Sequence, residues 1–271
     1  ETPEFLRFFQ KEELHPEWWE KKLWHLYDCT DWARNLAHCP TIAYSGENDI
    51  QKQAADIMAN VVFQERMQLT HIIGPKMGHR IDPGSVQEIE SRMADLARAG
   101  RQRVPESLRF VTYTLKYNQL HWLKVTGLKQ HWEKCSVGAG LGCSRGLRIK
   151  TGNIPGFGNP FRPGESSFGS TGAVAINIDG QTLYSPRLQT DRSFQVSLVQ
   201  GEQGWELGSF SKEEVRKSHN LQGPIDDAFM DSFLFVKPTG TSSHPRVKDW
   251  ADQELARAIE HWRRHFRGYA R

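Results

Sequence analysis

No apolar run in these 271 residues approaches the roughly 20 that a helix needs to cross a bilayer. A mean hydropathy of −0.62 points the same way, so no membrane partner is expected. An excess of one charge is also missing. The 35 Lys and Arg stand against 32 Asp and Glu, a balance of +3, and they interleave rather than gather, which argues against a nucleic-acid partner. Cysteine is sparse: Cys29, Cys39, Cys135 and Cys143 lack metal-ligand spacing. The pairs Cys29/Cys39 and Cys135/Cys143 are close enough for local disulfides, but free thiols fit equally well. The compartment is therefore undecided, with a slight lean to a secreted or periplasmic one. No H-E-x-x-H pairing occurs. His261 and His265 stand at helical i, i+4 spacing among Arg263, Arg264 and Arg267, where repulsion opposes a cation and a solvated helix end is the simpler account. No metal and no cofactor is expected. The first residues, Glu1-Thr2-Pro3-Glu4, hold neither an initiator Met nor a charged-then-apolar leader, which says little if the chain is a piece of something longer.

What is present reads as three stretches. Residues 1–103 carry amphipathic helical pieces, then a short apolar run Thr41 to Tyr44 ended by Ser45-Gly46. A helix follows from about Gln51 to Gln64, then a second apolar run Leu69 to Ile73 stopped by Gly74-Pro75, and a helix to about Ala99. Strand, helix, strand, helix with short connections means a parallel sheet covered by helices. Two strands alone cannot bury both faces, so the module is expected to be the end of a larger sheet. Residues 104–210 change texture, with β-type alternation in Phe110–Leu115, Trp122–Val125, Leu147–Lys150, Ala173–Ile178, Gln181–Leu183, Phe194–Val199 and Trp205–Leu207. A Gly/Pro/Ser-rich loop is expected over 152–172, and Asp179-Gly180 is a hairpin turn signal. The stretch reads as an antiparallel β-sandwich-type domain. Residues 211–271 revert to α/β: a short helix opened by Ser211-Lys212-Glu213-Glu214, a strand Ser232–Val236, and a long amphipathic helix from Val247 to Phe266. The chain reads as cut at both ends.

The strongest constellation is Gly46-Glu47-Asn48-Asp49, followed about thirty residues later by Gly78-His79. Each is carried by a loop at the carboxyl end of a strand, the edge where parallel sheets build their sites. A carboxylate beside an imidazole fixes its tautomer and stabilises the imidazolium formed when it takes a proton from a serine. Gly78 is expected to let the backbone turn so that the ring faces the site. Over roughly residues 30–97 the sequence resembles the α/β-hydrolases, and within them the prolyl-oligopeptidase-like serine peptidases and esterases. The resemblance implies that Asp49 is the triad acid and His79 the triad base. The family's chain order is Ser, Asp, His, which places the nucleophile before residue 1. The chain would then be the C-terminal portion of a serine hydrolase, inactive alone, whose intact form takes a peptide or ester substrate. The unpaired sheet edge predicts a homo-oligomer.

Several other features compete. Gly142-Cys143-Ser144-Arg145-Gly146 spells the G-x-S-x-G nucleophile elbow. An elbow needs an apolar strand before the Ser and a helix after it; Ser136–Gly140 does not read as the first, and Leu147–Lys150 reads as a strand rather than the second. Gly164-Glu165-Ser166-Ser167 and Gly169-Ser170-Thr171 are weaker still. Cys39 precedes its strand and so falls at the wrong end for a Cys–His pair. Asp226, Asp227 and Asp231 cluster without the spacing of a calcium loop. The rival class is a carbohydrate- or protein-binding module centred on the β domain, with Trp122, Trp132 and Trp205 as ligand platforms.

Overall fold

The computed structural model describes the chain except residues 1–6, 9–10, 12, 143–145, 169–171, 212, 224, 230–231 and 271, together with the side chain of Asp226. It divides into two compact units, Glu1–Gln222 and Gly223–Arg271.

The first unit begins with helix α1 (Trp18–Trp24) and a 3-10 helix, Cys29–His38. Strand β1 (Ile42–Gly46), helix α2 (Lys52–Gln64), strand β2 (Thr70–Gly74) and helix α3 (Pro83–Ala99) follow. β1 and β2 pair in parallel, from Ile42 opposite Thr70 to Gly46 opposite Gly74. The helical stops and starts come from local chemistry. Asp82 accepts the Ser85 amide at 2.9 Å, and Pro83 occupies the first position of α3, where its missing N–H costs nothing. Gly100 ends the helix at φ 69, in the conformation glycine adopts most freely.

Ten strands follow: β3 (Ser107–Thr112), β4 (Gln119–Leu120), β5 (Leu123–Gly127), β6 (Cys135–Leu141), β7 (Leu147–Gly152), β8 (Gly156–Phe161), β9 (Ala173–Ile178), β10 (Gln181–Arg187), β11 (Phe194–Gly201) and β12 (Gly204–Leu207). They make two five-stranded sheets, β10-β9-β7-β6-β3 and β12-β11-β8-β5-β4. Inward residues of both sheets, such as Phe110, Val137, Ile149 and Ile176 from one and Val125, Phe157, Val196 and Trp205 from the other, share one core. The sandwich is not wholly antiparallel, because β7 and β9 run parallel. Two strands lie where glycine hid them. β6 alternates Cys135, Val137 and Ala139 inward with Ser136, Gly138 and Gly140 outward, and β8 places Phe157 and Phe161 in the core from within the expected loop. The Asp179-Gly180 turn forms as expected, with φ 50 and 89 joining β9 to β10. Asp179 also ties the sheets together, accepting the Thr151 amide at 2.7 Å and the Trp205 indole N–H at 3.0 Å.

The 3-10 helix closes the open edge of β3. Asn35 accepts the Val111 amide at 2.8 Å and donates to the Val111 carbonyl at 2.9 Å, and His38 Nε2 accepts the Arg109 amide at 2.9 Å. A bare edge is thereby capped by side chains rather than another strand. On the other sheet, the segment after β12 lays Phe210 over Gly127 and Gly156; a Cβ at Gly156 would lie 2.2 Å from that ring. The Arg216 guanidinium stacks on Phe210 at 3.4 Å and donates to the Thr126 carbonyl at 2.7 Å. Residues 208–222 thus belong to the first unit, and no helix forms among the described residues at Ser211.

The second unit centres on helix α4 (Pro245–Phe266), capped by His244, whose ring accepts the Arg246 amide at 3.3 Å. The expected strand Ser232–Val236 is not formed. Its alternation is real, with Phe233 against Trp262 at 4.7 Å between ring centroids and Leu234 and Val236 exposed. No strand among the described residues offers it a ladder, and a lone extended segment has no sheet to join.

Candidate functional site

Asp49 and His79 meet at the carboxyl edge of the β1–β2 pair. His79 Nδ1 lies 2.9 Å from Asp49 Oδ2. Backbone contacts between the two loops fix this approach. The Glu47 amide donates to the Gly74 carbonyl at 2.9 Å and the Asn48 amide to the Met77 carbonyl at 2.8 Å. The Glu47 carboxylate accepts the Lys76 amide at 2.7 Å. The Tyr44 hydroxyl donates to the Arg80 carbonyl at 2.8 Å, just past the histidine.

Glycine is required here at positions other than the one expected. A Cβ at Gly46 would sit 2.1 Å from the Gly78 carbonyl oxygen, so only glycine lets the two loops touch. Gly74 is similarly confined, its Cβ position lying 2.0 Å from the Tyr44 hydroxyl. Gly78 is not the enabling turn: a Cβ there meets nothing within 4 Å, and the left-handed residue of the loop is Lys76, at φ 60.

The two carboxylate oxygens of Asp49 divide their work. Oδ1 accepts the Gln51 amide at 2.9 Å, at the foot of α2, and Oδ2 faces His79. The Gln51 amide first, and the His79 contact second, hold the carboxyl below its ordinary value. An ionised carboxylate only accepts, so Nδ1 carries the proton and Nε2 is the ring position left to exchange one. The Asp49 side chain is 11% exposed and the His79 ring 75% exposed. A sheltered acid therefore orients an open base, which can take a proton from a donor placed against Nε2.

A Ser–His contact that no local pattern marks lies on the same strand pair. Ser45 Oγ lies 3.0 Å from His71 Nε2, and Asp56 lies 3.9 Å from His71 Nδ1. Ser45 and His71 share one face of the strand pair, two positions apart in register. Ser45 is 6% exposed, and the carboxylate is beyond hydrogen-bond range. Burial lowers the His71 pKa, so the contact is a packing hydrogen bond between neutral groups.

Ser144 and Ser170 lie outside the described residues, as do Asp231 and the side chain of Asp226. The strands around Ser144 can be placed: β6 precedes it and β7 follows, paired antiparallel from Ser136 opposite Gly152 to Leu141 opposite Leu147. The preceding strand does exist, contrary to the reading of Ser136–Gly140, but the helix an elbow requires does not follow. Cys29, Cys39 and Cys135 are free thiols. Burial pushes the Cys135 thiol up to about 12, which removes it as a nucleophile at neutral pH. Trp122 and Trp205 are 2% and 4% exposed; they fill the core and cannot be ligand platforms. Among the described residues no group of three or more His, Cys, Asp or Glu could hold a metal, and no helix is long and apolar enough to cross a membrane.

No protein-family model, curated protein or solved structure matches this chain.

Proposed function

We propose that this chain carries the acid and base of a serine hydrolase of the α/β-hydrolase type, with Asp49 orienting His79 and a serine from outside the 271 residues as nucleophile. The observation that carries the reading is the 2.9 Å contact between His79 Nδ1 and Asp49 Oδ2. It is made between two loops at the carboxyl edge of adjacent parallel strands, with the ring's other side open. In the reaction Nε2 takes the serine proton as the hydroxyl attacks a peptide or ester carbonyl, and Asp49 stabilises the imidazolium. His79 then gives the proton to the leaving group, and a second cycle with water releases the acid. On this reading the chain by itself supplies the base and its orienter, and the attacking group and oxyanion hole come with the serine-bearing part. The alternative, a carbohydrate- or protein-binding module centred on the β domain, loses two of its three tryptophan platforms, which are core residues.

Two measurements test this. The chain alone gives no saturable hydrolysis of p-nitrophenyl acetate, only the slow non-saturating rate of an exposed imidazole. In protein that carries the nucleophile, Asp49→Asn lowers kcat by about 10⁴ with little change in KM, the scale seen when a triad acid is neutralised. A fall of only a few-fold would make Asp49 a helix-end residue and nothing more.

A further inference from the structure

The outer face of the sheet β12-β11-β8-β5-β4 holds a concavity of about 650 Å³ that has no part in the Asp49–His79 pair. The strand register explains why it exists. Gln119, Lys124, Gly158 and Ser197 stand side by side across β4, β5, β8 and β11. Glycine at the centre of that row leaves a floor with no side chain. The neighbouring outward glycine of β8, Gly156, is covered by Phe210, whereas Gly158 is not; a Cβ there makes only ordinary contacts, the nearest at 3.7 Å.

The walls are cationic. Arg101, Arg103 and Arg162 line the concavity with Lys124. Glu165 is its only acidic lining residue among the described residues, 3.8 Å from Arg103 and occupied by the Arg162 amide at 2.8 Å. Arg101, Lys124 and Arg162 have no carboxylate within ion-pair distance among the described residues. His121, at the rim, sits in the left-handed region at φ 50, and burial and the nearby Arg101 both lower its pKa. No exposed aromatic face lines the floor to stack on a neutral sugar ring. Recognition there falls to charge, which a concave wall focuses, and to guanidinium groups that match the geometry of phosphate and carboxylate.

We propose that this concavity binds a compact small-molecule polyanion, bearing two or more phosphate or carboxylate groups, seated over Gly158 between Lys124 and Arg162. The volume lies within the range of small-molecule sites and is ample for such a ligand. The proposal does not depend on the hydrolase reading, and its test involves neither Asp49 nor His79.

Isothermal titration of the full chain at low salt, with pyrophosphate and separately with citrate, tests it. The expected result is one saturable site for at least one of the two, weakened by added sodium chloride as exposed charge pairs are. Gly158→Glu, which fills the floor and reverses its charge, abolishes binding while the circular dichroism spectrum stays native. Should that variant fail to fold, Lys124→Ala and Arg162→Ala each weaken binding about tenfold, near the 1.4 kcal/mol of one charged contact. Lys150→Ala, an exposed lysine on the other sheet, leaves it unchanged. Absence of a saturable site for both anions overturns the proposal. So does binding that survives a folded Gly158→Glu, or that falls equally in Lys150→Ala. The preferred anion tells phosphate recognition from carboxylate recognition.

Discussion

At the scale of single residues, the meeting of Asp49 and His79 was legible because its signal is local: a strand, a turn and an ionisable side chain at its end. The residues that hold them in place were not. Gly46 matters because the Gly78 carbonyl lies where its Cβ would be, a contact between residues distant in sequence that no local pattern announces. Glycine before the histidine drew attention to Gly78, yet that position has open space. The contrast is measurable. Gly46→Ala forces the loops apart and is expected to cost about 1–3 kcal/mol in urea unfolding, the range for overpacking. Gly78→Ala stays within about 0.5 kcal/mol, as open surface positions do. Equal effects would contradict this account of the loop contact.

At the scale of elements, periodicity located β1, α2, β2 and α3 well, since each has a continuous apolar pattern. It failed for β6 and β8, most of whose outward positions are glycine (Gly138 and Gly140, Gly156 and Gly158) and therefore read as loop. It also failed for Ser232–Val236, where the alternation is present but no partner strand is. Pairing is a tertiary property, and alternation records only that one face is apolar. The Asn35 contact with β3 was equally invisible, because it depends on a helix meeting a sheet edge. Val111 is fully buried, so Asn35→Ala strands both of its backbone groups and is expected to cost about 1–3 kcal/mol with an unchanged denaturant slope. A loss below a few tenths would mean that water reaches that edge.

For the whole molecule, the order and periodicity of the elements set the class correctly in broad terms, a mixed α and β chain with several sheets, and they could not reveal the parallel β7–β9 pair. Acid sensitivity is another property that appears only once the chain is folded. Burial lowers the pKa of His38, His71, His121 and His131. His38 must also stay unprotonated at Nε2 to accept the Arg109 amide. Each ring is thus harder to protonate in the fold than in the unfolded chain, where histidine titrates near 6.5. Their contribution is complete above about pH 6.5 and declines as pH falls below it, before the carboxylates titrate. The thermal midpoint should therefore drop between about pH 7 and 5.5, and His38→Gln, which accepts the same N–H without titrating, should reduce the drop. A flat profile over that interval would contradict the burial of these rings.

The central claim is that Asp49 and His79 serve a serine. It is tested most directly by labelling the protein from its natural source with a fluorophosphonate and mapping the modified peptide. The account predicts a single labelled serine outside these 271 residues, with labelling lost in His79→Ala and strongly slowed in Asp49→Asn. No labelled serine, labelling at Ser144, or labelling indifferent to His79 would contradict it.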